Sequence, residues 1–315
     1  MVSRFSLPLR VLGMSVSAAA QPSLAVAHSA NTVELPSFSV SYLAPASVTG
    51  ASASLVEMDL RPGSEPPPHR HTREDEAFYI LDGSLEVRAG NQLFSGRRGD
   101  FVFLPKNLPH TFAVRSSHAR ILLFVSPGGF EHFFARMSPE SAAEFGLEFL
   151  PDTAVSGPQP MAFVNRVAPG SAYWYATHLL TFLAGSRQTE GRYALMQATA
   201  HRGLEPPPHV HENEDEFFYM LNGVAEFKVA DQELHATPGS CVYLPKRVPH
   251  SFQLLTPTAT ALIMATPGGI EEFFMQFSRP APKLEVPPLG DLPPGYAAQL
   301  DRMTREGAKY GLRFV

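Results

Sequence analysis

The stretch EPPPHRHTREDEAFYILDG, Glu65–Gly83, decides the fold. His69 and His71 are separated by a single residue, so on an extended strand they share one face. Glu76 follows in His-x-His-x4-Glu spacing and opens the apolar run AFYIL, which ends at the turn signal Asp82-Gly83. The pattern returns as EPPPHVHENEDEFFYMLNG, Glu205–Gly223. A unit of strand, turn and strand with two histidines and a carboxylate is therefore written twice.

Outward from these stretches the offset between the copies stays constant. The shift that takes His69 to His209 also takes His110 to His250, Gly99 to Gly239 and Pro105 to Pro245, and it aligns SPGGFEHFF at 126–134 with TPGGIEEFF at 266–274. Upstream, SYLAP at 41–45 falls on TFLAG at 181–185. Self-similarity at a fixed period means a duplicated domain. The offset then breaks: EFGLEFL at 144–150 resembles KYGLRFV at 309–315, a wider separation. The Pro-rich segment 278–295 carries the insertion and reads as an extended surface arm. These landmarks divide the chain into a leader or flexible arm (1–35), a first domain (36–150), a connection (151–175) and a second domain with a helical tail (176–315).

Within each unit the strands are short, and 30 prolines and 23 glycines in 315 residues favour β structure punctuated by turns. Asp82-Gly83 and Asn222-Gly223 read as hairpin turns with φ > 0 at both positions. GGFEHFFARM and SPESAAEFG read as helix. The fold class is all-β: two tandem double-sheet jelly-roll barrels, each followed by short helical segments.

A hydrophobic share of 44% allows a sizeable core, and a net charge of −5 provides no basic footprint for nucleic acid. No stretch is long and apolar enough to span a bilayer. One cysteine, Cys241, excludes an intramolecular disulfide and reads as a buried inert thiol. Residues 1–30 hold signal-peptide ingredients, but Arg10 and Pro8 interrupt the apolar run, and the chain has no Asn-x-Ser/Thr acceptor. A cytoplasmic protein is expected, or a secreted or periplasmic one if residues 1–30 are cleaved.

Three imidazoles and one carboxylate in each unit suit an open transition-metal site. The sets are His69, His71, Glu76 and His110, and His209, His211, Glu216 and His250. No thiolate is offered, which argues against a closed structural zinc site. The other acidic residues of REDE and ENED read as solvated. Arg70 has the wrong parity to line the site, and Lys106 and Lys246 read as rim residues.

These residues resemble the cupin superfamily. Its first motif, G-x5-H-x-H-x4-E-x6-G, is matched by Gly63, His69, His71, Glu76 and Gly83, and by Gly203, His209, His211, Glu216 and Gly223. Its second, G-x5-P-x-G-x2-H-x3-N, is matched at Gly99, Pro105 and His110 and at Gly239, Pro245 and His250. Asn107 and Arg247 replace the motif glycine, and Val114 and Leu254 replace the final asparagine. Among bicupins the chain is similar to the quercetin 2,3-dioxygenase type.

That resemblance implies one divalent transition metal per domain: iron first, with manganese, nickel, copper or cobalt as alternatives. It implies O2-dependent cleavage of a flavonol or related enolic aromatic, with Glu76 and Glu216 as bases and the N-terminal site as the main one. The apolar pocket is expected from Met58, Phe78, Phe103 and Phe112, with Tyr42 at its mouth and Phe218 and Phe252 in the second domain. The alternative is an O2-independent isomerase or decarboxylase, and last a storage or binding cupin. Expected partners are a small aromatic substrate, O2 and a second copy in a homodimer, without nucleic acid or membrane.

Overall fold

The protein is described by a computed structural model covering residues 20–288 and 296–315. Each domain is a pair of facing antiparallel sheets of jelly-roll type. In the first, Thr32–Glu34, Phe38–Ala44, Ser54–Leu60, Ala119–Ser126, Asp75–Asp82, Asp100–Leu104 and Phe163–Arg166 form a seven-stranded sheet. It faces a five-stranded sheet of Leu147–Phe149, His69–His71, His110–Val114, Ser84–Ala89 and Gln92–Arg97. The second domain repeats this with eight and five strands.

The large sheets are apolar on both faces, which is why their strands read as continuous runs such as AFYIL and DFVFL. Phe78, Ile80, Val102 and Leu104 face the interior of the first domain. Their sequence neighbours Ala77, Tyr79, Phe101 and Phe103 face Phe217, Tyr219, Cys241 and Tyr243 of the second domain in one shared core. The small sheets carry their ligand strands inward and present residues such as Arg88 and Arg115 to solvent.

Strand exchange reinforces the shared core. Ser23–Val26, in the stretch read as an arm, pairs with Ser240–Leu244 of the second domain. Phe163–Arg166, in the stretch read as a connection, pairs with Asp100–Leu104 of the first. The two strands are themselves related by the offset of the duplication, so each domain donates its leading strand to its twin. Residues 1–19, where most of the expected leader lies, fall outside the described residues, as do 289–295 of the Pro-rich segment. The described part of that segment is pinned: Ser278–Pro280 pairs with Ala172–Tyr175, and Trp174 Nε1 donates to the Glu285 carbonyl at 2.7 Å.

The expected hairpins at Asp82-Gly83 and Asn222-Gly223 are sheet-to-sheet corners instead. Asp75–Asp82 lies in the large sheet and Ser84–Ala89 in the small one. Only the glycines have positive φ, 75° at Gly83 and 79° at Gly223. A Cβ on Gly83 would collide with the His118 backbone, so close packing as well as conformation requires glycine there.

Cys241 is buried in the shared core beside the exchanged strand, opposite Ala25, and burial pushes its thiol up to about 12. A thiol reagent at pH 8 is expected to leave the native protein unmodified and to titrate one thiol per chain in denaturant. Rapid native labelling would contradict the packing of Ser23–Val26 over this strand.

Candidate metal centres

Two clusters assemble inside the domains as the sequence predicts. His69, His71, Glu76 and His110 are all buried, and one ligand atom from each lies within 4.8 Å of every other. His209, His211, Glu216 and His250 form an equivalent cluster. The ligands come from three elements held in register: His69 is directly opposite His110 in the small sheet, and Glu76 projects from the facing large sheet. His209 and His250 pair in the same way.

The residues that replace the motif glycine help to fix this register. Asn107 and Arg247 are both left-handed, with φ of 66° and 65°. Their backbone N–H groups donate to the carbonyls of His71 and His211, each at 2.7 Å. The turn that launches the third histidine is thereby tied to the ligand strand.

Hydrogen bonding sets the imidazole tautomers. A carbonyl can only accept, so Nδ1 of His69, His110 and His209 carries the proton donated to Pro67, Leu108 and Pro207, at 2.9, 2.8 and 2.9 Å. That leaves each Nε2 lone pair facing the centre, as a metal requires. His71 Nε2 is buried with no hydrogen-bond partner, an arrangement that costs free energy unless something coordinates it. The donor set of three imidazoles and a carboxylate, with an orphaned nitrogen aimed inward, fits a divalent transition ion.

Electrostatics agree. Burial alone would raise the Glu76 carboxyl, but His71, His110 and His69, in their protonated forms in the metal-free cluster, outweigh it and hold it down at about 2. Glu216 is likewise held at about 2 against burial by His211, His250 and His209. Burial and the neighbouring His110 depress His69 to about 3, and burial and His250 depress His209 to about 4. These two imidazoles are neutral ligands at any ordinary pH.

The acidic residues beside the ligands are not solvated, contrary to the sequence reading. Glu74, Asp75, Glu214 and Asp215 are all buried. His71 Nδ1 pairs with Glu74 Oε1 at 2.7 Å, the carboxylate–histidine arrangement that orients a ligand ring. Asp75 accepts from the Lys106 backbone N–H at 2.8 Å and pairs with Arg192 of the second domain. The His211–Glu214 contact is longer, 3.5 Å. Glu74→Gln is therefore expected to weaken metal binding at the first centre by about 10- to 100-fold. Glu214→Gln should weaken the second centre less, and chelator competition measures both. Parity could have found Glu74, since it shares a face with Glu76, but adjacent charges read as solvent-facing.

The pocket residues divide. Met58 and Phe78 lie in the first interior, with the partly buried Tyr42 and Phe112 packed on it; Phe78 and Phe112 meet edge to face at 5.7 Å. Phe103 is a correction: it points into the core between the domains, 5.0 Å from the Phe163 ring. Leu104, the next residue, faces Glu76 across the register and takes the inward position. Arg70 points outward to Glu148 at 2.6 Å.

The interiors differ in what lies over the metal ligands. In the first domain Phe130 stands 4.4 Å from the His71 ring, and Phe133 and Phe134 join it in the same apolar cluster as Phe78. In the second, a cavity of about 430 Å³ opens on His209, His211 and Glu216. Phe218, Phe252 and Phe227 line it, as do Leu300 and Met303 of helix Tyr296–Gly307. Among the described residues no lysine or arginine lines it.

Two jelly rolls, each with a buried three-histidine, one-carboxylate cluster, define a bicupin. The Cupin domain family matches residues 56–126 and again 196–266, so this chain is built from two cupin domains. Quercetin 2,3-dioxygenase of Bacillus subtilis (strain 168) is 22% identical over 264 residues, which cover 74% of this chain and 78% of that protein. Quercetin 2,3-dioxygenase of Aspergillus japonicus is 28% identical over 94 residues, 28% of this chain and 27% of that protein. Among solved structures, oxalate decarboxylase from Bacillus subtilis superposes with a TM-score of 0.59 at 17% identity, covering 78% of this chain and 76% of that chain.

Proposed function

We propose that the protein is a metal-dependent dioxygenase acting on a flavonol or a related enolic aromatic compound. The observation that carries this reading is the cavity of the second domain. It is apolar, large enough for a flat bicyclic or tricyclic molecule, and open to the ligand cluster, with no lysine or arginine in its wall among the described residues. Such a chamber suits an uncharged aromatic. A small dianion such as oxalate would find there no lysine or arginine among the described lining residues, leaving the metal as its counter-charge and the rest of the chamber apolar. Kinship with two quercetin 2,3-dioxygenases supports the same substrate class.

His209, His211, Glu216 and His250 would hold the ion, as would the equivalent set in the first domain. The metal, when bound, supplies Lewis-acid and redox chemistry. Glu216 is ionised over the whole neutral range and is positioned at the chamber's inner end. A carboxylate held that low is a weak base, so it accepts the hydrogen bond of an enolic hydroxyl and would take its proton only where the bound metal raises that hydroxyl's acidity. Phe218 and Phe252, with ring centroids 5.8 Å apart, hold the aromatic plane. Iron is the first expectation for the ion; the structurally similar oxalate decarboxylase of Bacillus subtilis has Mn(II) centres.

Metal analysis of the purified protein followed by incubation with quercetin, in air and without oxygen, tests the assignment. Oxygen uptake that tracks substrate loss and bound metal is the expected result. A metal-loaded protein that consumes quercetin equally without oxygen, or consumes none, overturns it.

A further inference from the structure

The internal duplication allows each residue of one interior to be compared with its twin in the other. At the metal the twins are identical. Around it they diverge in both directions: Val40, Val56, Val87 and Val114 become the larger Leu180, Met196, Phe227 and Leu254, while four long side chains are cut to alanine. Met58, Leu60, Leu85 and Ile121 of the first domain become Ala198, Ala200, Ala225 and Ala261 in the second. The first four are buried in a single continuous apolar cluster that runs from the sheets to the helical segment. Their four alanine twins all line the cavity. The swaps are also matched in space: Met58 pairs with Ile121 across adjacent strands, and Ala198 pairs with Ala261 in the same register. Two long side chains that meet in one domain are thus both truncated in the other.

The core of the second domain is split as a result. Phe218, Phe227, Leu254 and their neighbours form one cluster, while Ile270, Phe273, Met303 and Leu312 form another. The chamber lies between them. At the metal end, Phe130, whose ring abuts His71, is replaced by Ile270. At the wall, Phe38, which packs edge-on against Phe134 at 6.3 Å, is replaced by His178. The four truncations to alanine remove more side-chain atoms than the four enlarged valine positions restore, and the net loss leaves a cavity that costs stability unless something occupies it.

We infer that substrate is held by the second domain alone, in the chamber opened by Ala198, Ala200, Ala225 and Ala261, and that His178 reads hydroxyl groups on the bound aromatic. The first centre is packed shut and serves as a structural metal site. The inference rests on the proposed reading only in taking a flat aromatic as the occupant. It departs from the expectation that the N-terminal site is the main one.

Calorimetric titration of the metal-loaded protein with quercetin under anaerobic conditions, and with flavone, which lacks the hydroxyls, reads the chamber without turnover. One ligand per chain is expected for each. Ala198→Met/Ala261→Ile installs the first domain's own side chains and should lower both affinities by at least tenfold, with two metals per chain retained. Ala225→Leu, on the opposite sheet, does the same if the double variant fails to fold. His178→Phe should weaken quercetin and spare flavone; an equal change for both removes His178 from the assignment. Two ligands per chain, no binding of either ligand, or unchanged affinity in a folded filling variant overturns the chamber. Flavone binding with no oxygen-dependent loss of quercetin would instead sink the dioxygenase reading and leave the chamber standing.

Discussion

His211→Ala is expected to lower turnover by more than about 100-fold, the loss that follows when a ligand rather than its supporting partner is removed. His71→Ala, the same change in the twin, should remove one metal from each chain as well, but its main effect should fall on stability. The ligand atoms are equivalent in the two centres, so the difference comes from their surroundings. His211 opens on the cavity, whereas the His71 ring is covered by Phe130. A metal that binds only the folded state at a thousand times its dissociation constant stabilises that state by about 4 kcal/mol, and His71→Ala forfeits this term. Metal content, oxygen uptake and thermal midpoint of the two variants, measured side by side, separate the roles. Equal loss of turnover from both changes would show that both centres react.

Most of the metal centre was legible in the sequence because ligands must be specific atoms at specific spacings. His-x-His on one strand face, a glutamate on the next strand and a third histidine at the same distance beyond it in both copies leave little freedom, and the duplication repeats the evidence. The all-β class followed from short apolar runs and turn residues. What escaped depended on tertiary context. Phe103 and Leu104 are both large and apolar, and a sheet covered on both faces gives no polar alternation to tell inward from outward. Ser23–Val26 carries no signal that its partner, Ser240–Leu244, lies in the far domain. The buried Glu74 and Asp75 look like surface charges until His71 and Arg192 are placed beside them. The alanine substitutions were present in the sequence from the start, but they acquire meaning only when the register shows that they face one space.

Arg120→Ala is expected to destabilise the protein by about 3 kcal/mol, and the duplication explains why. Glu57 is a fully buried carboxylate between the domains. It accepts from Arg120 at 2.5 and 3.0 Å, from the Tyr219 hydroxyl at 2.6 Å and pairs with His28 at 3.1 Å. Its twin is Gln197, which accepts from the Tyr79 hydroxyl at 2.9 Å. Tyr79 and Tyr219 are themselves twins, so the pair of contacts crosses the domain boundary in both directions. One copy is neutral and the other is charged, and the charged copy depends on its arginine. Removing Arg120 strands the carboxylate in the interior, with one phenol and one partly exposed histidine as remaining partners. Glu57→Gln/Arg120→Ala should recover most of the loss, because it rebuilds the neutral arrangement already present at Tyr79 and Gln197. Urea unfolding of the single and double variants gives the coupling directly. A single-variant cost below about 1 kcal/mol would mean that Tyr219 and His28 suffice to hold Glu57, and that Arg120 contributes no more than a surface ion pair.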